Sequence, residues 1–235
     1  MSNLSISHLL EYLKVLEESI DQTMLRYDAS EKDYVSFVEK SEKYRFRAII
    51  VPQVVLPVIA PITKHVVGTV VGFPNGYIPL KAKLGEIDFA ASAGAREVDV
   101  VLNTISVKSG KWGEVENEVS SIVKKVREYG MIVKIIIETS LLKKEEIKTI
   151  SKIVEELGAN FIKTNTGFGA RGVLPSDILV IKSSTTGRSR IKASGGIRTA
   201  IDAALMLYLG AHVIGASSGV EIVEEAKAII SETHS

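Results

Sequence analysis

The sequence predicts an α/β chain closed into an eight-stranded parallel barrel, the (β/α)8 or TIM-barrel architecture, with an extra N-terminal helix. Three observations carry this. Eight apolar strand-like runs are each followed by a helix or helix-like segment, at roughly 25–30 residues per unit, as a barrel of about 250 residues requires. The phrase Gly-Ala, followed two residues later by a strand, recurs at Gly94, Gly158 and Gly210, each time after a helix and at gaps suiting two strand-helix units. The competing doubly wound sheet usually carries a Gly-rich phosphate fingerprint after its first strand, and the first strand run here, SIDQTML, has no glycine.

Taken in order, residues 1–17 carry Leu9, Leu10, Leu13 and Leu16 at helical spacing with Glu11, Lys14 and Glu17 between them, the pattern of an amphipathic helix. The run 19–25 is a short strand that puts Asp21 and Thr23 on one face. A helix over 30–43 leads to the strand FRAIIV, then to a Pro-interrupted apolar segment at 54–62 and a third strand over 66–72. A Pro/Asn/Gly turn at 73–77 and a helix over 80–93 bring the chain to EVDVVLN, where Glu97, Asp99, Val101 and Asn103 share a face. The helix over 112–129 closes at Gly130, where a left-handed cap is cheapest for glycine. The fifth strand, IVKIIIE, is almost continuously apolar, as in a parallel sheet buried on both faces, with Lys134 and Glu138 on one side, either as a buried pair or as cavity groups. A helix over 144–157, the strand ending at Lys163, a helix after Pro175, the strand RIKAS with Lys192, a helix over 200–209, a strand over 212–215 and a last helix complete the chain. The expected organisation is one domain over 1–235, with 1–17 as the helix and 18–235 as the barrel.

With 235 residues, 46% hydrophobic composition and a net charge of +1, the chain can build one sizeable core. The near-neutral balance leaves no electrostatic footprint for nucleic acid or an anionic membrane. Cysteine is absent, which excludes disulfides and thiolate metal sites, and no transmembrane or secretory segment is apparent, so a cytoplasmic protein is expected. His8, His65, His212 and His234 are scattered without ligand spacing, so no metal and no cofactor are expected.

The chemistry is expected at GANFIKTNTGFG, an apolar run that delivers Lys163 and then dissolves into hydroxyls and glycines. A buried unpaired ammonium costs several kcal/mol, so a lysine ending a buried strand must be desolvated or lose its proton. The bland alternative, a stem packed on the strand with its head in water, would win for a lone lysine. Here Thr164, Thr166, Gly167 and Gly169 flank it, and Lys192 lies on the adjacent strand. In such a barrel the C-terminal strand ends converge on one mouth, so Asp21, Asp99, Glu138, Lys163 and Lys192 can meet. A free lysine is neutral only about once in 2,500 molecules at pH 7, and bringing its pKa to roughly 7 takes about 4–5 kcal/mol of bias that a neighbouring ammonium and partial burial can supply. Gly195, Gly196, Gly215 and Ser217, with Arg198 beside them, suit an anion pocket for a substrate phosphate, although any one of these glycines alone reads as a tight turn.

The motifs IDQTML, VGFPNG, EVDVVLN, IIETSLL, FIKTNTGFG, KASGGIRT and IGASSG, in this order over about residues 19–219, resemble deoxyribose-phosphate aldolases, a class I aldolase family with the (β/α)8 fold. The resemblance implies an aldehyde-lyase that reversibly cleaves 2-deoxy-D-ribose 5-phosphate to D-glyceraldehyde 3-phosphate and acetaldehyde through a Schiff base, without metal. It implies Lys163 as the imine-forming lysine, Lys192 as the second lysine that lowers its pKa, and Asp99 as the partner of Lys192 in a proton relay. It places Asp21 against Lys192, Thr166 against a substrate hydroxyl, and the phosphate on Gly167, Gly195, Gly196, Arg198, Gly215, Ser217 and Ser218. It also implies a homo-oligomer, a dimer or tetramer, and small phosphorylated sugar and aldehyde partners. The chain departs from many members at Gln22, Ile50 and Asn165, and where some members end on a tyrosine its last tyrosine is Tyr208. Two other readings are a sugar-phosphate isomerase using Asp99 or Glu138 as proton carrier, and a non-catalytic phosphometabolite-binding barrel.

Overall fold

The computed structural model describes residues 6–233, with side chains from His8 onward. The first residues of the expected N-terminal helix, 1–5, and His234 lie outside the described residues. Eight parallel strands close in sequence order into a barrel: β1 (Ile20–Thr23), β2 (Ala48–Val51), β3 (Val66–Val71), β4 (Glu97–Val101), β5 (Ile132–Ile136), β6 (Phe161–Lys163), β7 (Arg190–Ser194) and β8 (Val213–Ala216). β8 pairs with β1 through Ile20 beside Ile214 and Asp21 beside Gly215, which closes the ring.

Helices wrap the outside. α1 (Ile6–Lys14) and α2 (Leu16–Ser19) precede β1, and α3 (Glu31–Ser41) follows it. The Pro-interrupted stretch after β2 breaks into short helical turns around α4 (Leu56–Ile59), because Pro57 and Pro61 lack the amide proton a longer helix needs. Next come α5 (Leu80–Ser92), a short α6 (Thr104–Lys108) that periodicity did not predict, α7 (Trp112–Glu128), α8 (Lys144–Glu156), α9 (Pro175–Ser184), α10 (Ala200–Leu209) and α11 (Gly219–Glu232). Local chemistry starts several of them: Ser30 and Asp33 form a capping box on α3, the Asn103 side chain accepts from the Ile105 N–H at 3.1 Å to start α6, and Thr199 caps α10 through the Asp202 N–H. α1 packs on α10 and α11, so the N-terminal helix lies against the last two helices of the barrel. Among the described residues no helix is long and apolar enough to cross a membrane.

The strands have two faces of different character. Ile49, Val51, Val98, Val100, Val133, Ile135, Ile162, Ile191 and Ile214 belong to the apolar layer that also contains the helices' inner faces. Ala48, Ile50 and Val70 form a separate small apolar cluster with Leu25 and Phe73. The polar inward set, Asp21, Glu97, Asp99, Lys134, Lys163 and Lys192, is almost entirely excluded from solvent. Alternation at the two-residue period separates these sets, since a residue and its neighbours on the same strand point to opposite faces.

Candidate active site

Strand register brings the charges together. Asp99 is level with Lys134 across β4 and β5, and Lys163 is level with Lys192 across β6 and β7. Only Lys163 ends its strand; Asp99 and Lys192 are mid-strand, so the expected cluster at the mouth is instead a charged layer inside the barrel with Lys163 at its upper edge. Asp99 Oδ2 accepts from both Lys163 Nζ and Lys192 Nζ at 2.7 Å, and its Oδ1 accepts from Lys134 Nζ at 3.0 Å. Lys192 Nζ also lies 2.5 Å from Asp21 Oδ2, and Lys134 Nζ lies 3.0 Å from Glu97 Oε2; both are ion-pair contacts without hydrogen-bond alignment. Arg47 spans the lower side, with Nε 2.5 Å from Asp21 Oδ1 and Nη2 2.5 Å from Glu97 Oε1.

Four cationic groups, Arg47, Lys134, Lys163 and Lys192, therefore face three carboxylates, Asp21, Glu97 and Asp99. A buried cluster with one surplus positive charge is relieved by losing a proton. Burial would raise the Asp99 carboxyl, but Lys134, Lys163 and Lys192 overcome it and hold it well below the usual carboxylate range. Asp21 is likewise lowered against burial by Lys192, Lys134 and Arg47. Burial would lower Lys134, yet Asp99, Glu97 and Asp21 raise it, so it stays charged. Lys163 moves the other way, down to about 8, because burial outweighs the opposing pull of Asp99 and is helped by Lys192 and Lys134. Both influences expected from the sequence, burial and a neighbouring ammonium, act here, and burial is the larger. The shift amounts to roughly 3 kcal/mol of bias toward the free amine, so about a tenth of Lys163 is neutral at pH 7.

Above this layer opens a cleft of about 240 Å³, lined by Lys163, Thr166, Gly167, Ser194, Gly195, Gly196, Arg198, Gly215 and Ser217 among others. Gly195 and Gly196 take φ of 98° and 77°, a backbone that side-chain-bearing residues rarely adopt. Gly215 is needed for space: a Cβ there would stand 2.8 Å from Lys192 Cε and 2.9 Å from Ser194 Cβ. Ser218, expected at the phosphate, does not line the cleft; it precedes α11 and its carbonyl accepts from the Ile222 N–H. Asp21 and Asp99 sit beneath the cleft, wholly buried.

Arg26 and Arg47 were not singled out from sequence, and several residues named there take other parts than expected. Arg26 also lines the cleft, and Gln22 accepts from the Gly219 N–H at 3.0 Å, fixing the start of α11 just beyond Ser217. Lys134 does not meet Glu138. Glu138 turns away to accept from the Thr166 N–H at 2.9 Å and the Thr166 hydroxyl at 2.6 Å. Asn165 Oδ1 accepts from the Ser140 N–H and the Thr139 hydroxyl, which ties the loop after β6 to the end of β5. A charged residue in an apolar run, as in IVKIIIE or in RAIIV, was the available signal for Lys134 and Arg47.

A family model described as "DeoC/LacD family aldolase" matches residues 18–225. A deoxyribose-phosphate aldolase from Aquifex aeolicus is 41% identical over 207 residues, covering 88% of this chain and 94% of its own length. Another from a Thermoanaerobacter species is 37% identical over 214 residues, covering 89% of this chain and 96% of its own. Among solved structures, a tetrameric deoxyribose phosphate aldolase from Aeropyrum pernix superposes with a TM-score of 0.86 at 32% identity, over 96% of this chain and 100% of that one.

Proposed function

The chain belongs to the DeoC/LacD aldolase family, and from that premise we propose that it is a class I aldolase that reversibly cleaves 2-deoxy-D-ribose 5-phosphate to D-glyceraldehyde 3-phosphate and acetaldehyde. The observation that carries this reading is the buried Lys163, brought to a pKa of about 8 at the floor of a glycine-lined cleft.

The chemistry follows from placing the sugar's aldehyde at Lys163 and its phosphate over the glycines. The free amine adds to the carbonyl, and loss of water with uptake of one proton from solvent leaves a protonated imine. The neighbouring carbinol hydroxyl, one carbon beyond the methylene, gives up its proton as the carbon–carbon bond breaks. The released electron pair runs into the iminium to give an enamine, and glyceraldehyde 3-phosphate departs. Protonation of the enamine carbon and addition of water then release acetaldehyde and restore the amine. Asp99 and Lys192, sharing a 2.7 Å contact beside Lys163, are suited to pass the proton through a water. Asp21 holds Lys192 in place. Thr166 is suited to a substrate hydroxyl.

The phosphate is best received by the backbone N–H groups around Gly167, Gly195, Gly196, Gly215 and Ser217, with Arg198 at the rim. Ser218 contributes through the α11 start that it precedes. The tetramer of the Aeropyrum pernix relative supports a homo-oligomer here, and a phosphorylated metabolite as substrate supports a cytoplasmic location. Incubation with 2-deoxy-D-ribose 5-phosphate tests the reading: acetaldehyde and glyceraldehyde 3-phosphate are expected in equal amounts, with loss of both in Lys163→Ala. Binding without release of either aldehyde contradicts it.

A further inference from the structure

Among the described residues only Glu138 combines a side chain with a left-handed backbone, at φ 54°. It stands just beyond β5, and its carboxylate is buried. Oε2 accepts from the Thr166 N–H and the Thr166 hydroxyl, at 2.9 and 2.6 Å, and Oε1 accepts from the Ser140 hydroxyl at 2.5 Å. The Thr166 oxygen in turn accepts from the Phe168 N–H at 3.1 Å. A hydroxyl has one proton to give and two lone pairs. Glu138 takes the proton and Phe168 one lone pair, so what Thr166 can offer the cleft is the remaining lone pair. The next turn of the loop lies on the same carboxylate: a Cβ at Gly169 would collide with Glu138 Oε1 and Ser140 Oγ.

We propose that Glu138 is a positioning residue for the aldolase reaction: by committing the Thr166 proton, it presents Thr166 Oγ1 to the sugar phosphate as an acceptor. It thereby selects a substrate carrying a hydroxyl donor at that place. The inference rests on the reading that Lys163 and the glycine-lined cleft bind the sugar phosphate. The strained backbone is what allows one carboxylate to reach both the Thr166 amide and its hydroxyl.

Glutamine can keep an oxygen toward Thr166 and turn its N–H toward the Ser140 hydroxyl, whereas alanine leaves the Thr166 proton uncommitted. The test measures kcat and KM on 2-deoxy-D-ribose 5-phosphate for Glu138→Gln, Glu138→Ala, Thr166→Val and the double variant Glu138→Ala/Thr166→Val. Borohydride capture of acetaldehyde on Lys163, which involves no substrate hydroxyl, is measured alongside. Glu138→Ala is expected to lose at least about tenfold in kcat/KM, Glu138→Gln to stay within about threefold, and Glu138→Ala to cost nothing further once Thr166 is valine. Capture of acetaldehyde is expected to be unchanged throughout. Equal losses in Gln and Ala, a full additional loss in the double variant, or loss of acetaldehyde capture in Glu138→Ala would each overturn the proposal. Failure of the unaltered protein to capture acetaldehyde on Lys163 would instead overturn the aldolase reading beneath it.

Discussion

Lys163 Nζ lies 2.7 Å from Asp99 Oδ2. An isolated carboxylate at that distance would hold the lysine protonated, yet the same carboxylate is shared with Lys134 and Lys192, and burial leaves Lys163 at about 8. Burial thus lowers Lys163, and the surplus of four cations over three anions assists it.

The pH dependence of kcat/KM follows from Lys163. The free amine is the reactive form, so activity is expected to rise with pH and to level off above an apparent pKa of about 8. A profile on substrate concentrations well below KM reads this limb. A limb near 10, the value of an ordinary lysine, would show that burial does not act on the reacting group.

Lys192→Met removes one like charge from beside Lys163 and leaves Asp99 freer to hold the Lys163 proton. Both effects have the same sign, so the acid limb is expected to move to higher pH while kcat falls. An unchanged or lowered limb, read from the same profile, would mean that Lys192 does not tune Lys163.

Asp21→Asn leaves Arg47 and Lys192 short of their close partner deep in the barrel. Removing one member of a buried ion pair costs about 3–5 kcal/mol, which chemical denaturation at pH 7 measures. The Asp21 carboxyl is lowered in the folded state, so its contribution is fully present above the unfolded value of about 3.9 and is lost as pH falls through the folded value. The stability gap between the two proteins is therefore expected to be flat from about pH 5 to 8 and to narrow below about 4. A gap that widens in acid would reverse the sign of the argument.

Gly215→Ala places a methyl group where Lys192 Cε and Ser194 Cβ already stand, at 2.8 and 2.9 Å. Gly215 takes no positive φ, so the substitution acts by crowding. Lys192 must shift from Asp99, and kcat is expected to fall by at least about tenfold with the barrel still folded, since overpacking costs about 1–3 kcal/mol. Wild-type kcat in a folded Gly215→Ala protein would contradict the assigned role of Lys192.

The barrel and its central lysines could be read from the chain because strand alternation is a local property. Asp21, Asp99, Lys163 and Lys192 each sit at an inward position that a two-residue period identifies. Arg47 and Glu97 were not read as partners, and Lys134 was not matched to Glu97 and Asp99, because which inward residues meet across the barrel depends on register between strands, and register is not written in any one run. Glu138 was placed with Lys134 by period, but the chain leaves β5 at Ile136 and reverses into the left-handed region, which carries the side chain to Thr166 instead. Ser218 was grouped with the anion-binding residues by motif alone, whereas the turn into α11 keeps it out of the cleft.

The most direct measurement is reduction with borohydride in the presence of acetaldehyde, followed by peptide mass mapping. The account predicts one stable ethyl adduct on Lys163 that disappears in Lys163→Ala and forms more readily as pH rises toward 8. An adduct on Lys192 or Lys134, or no adduct on any lysine, would contradict it.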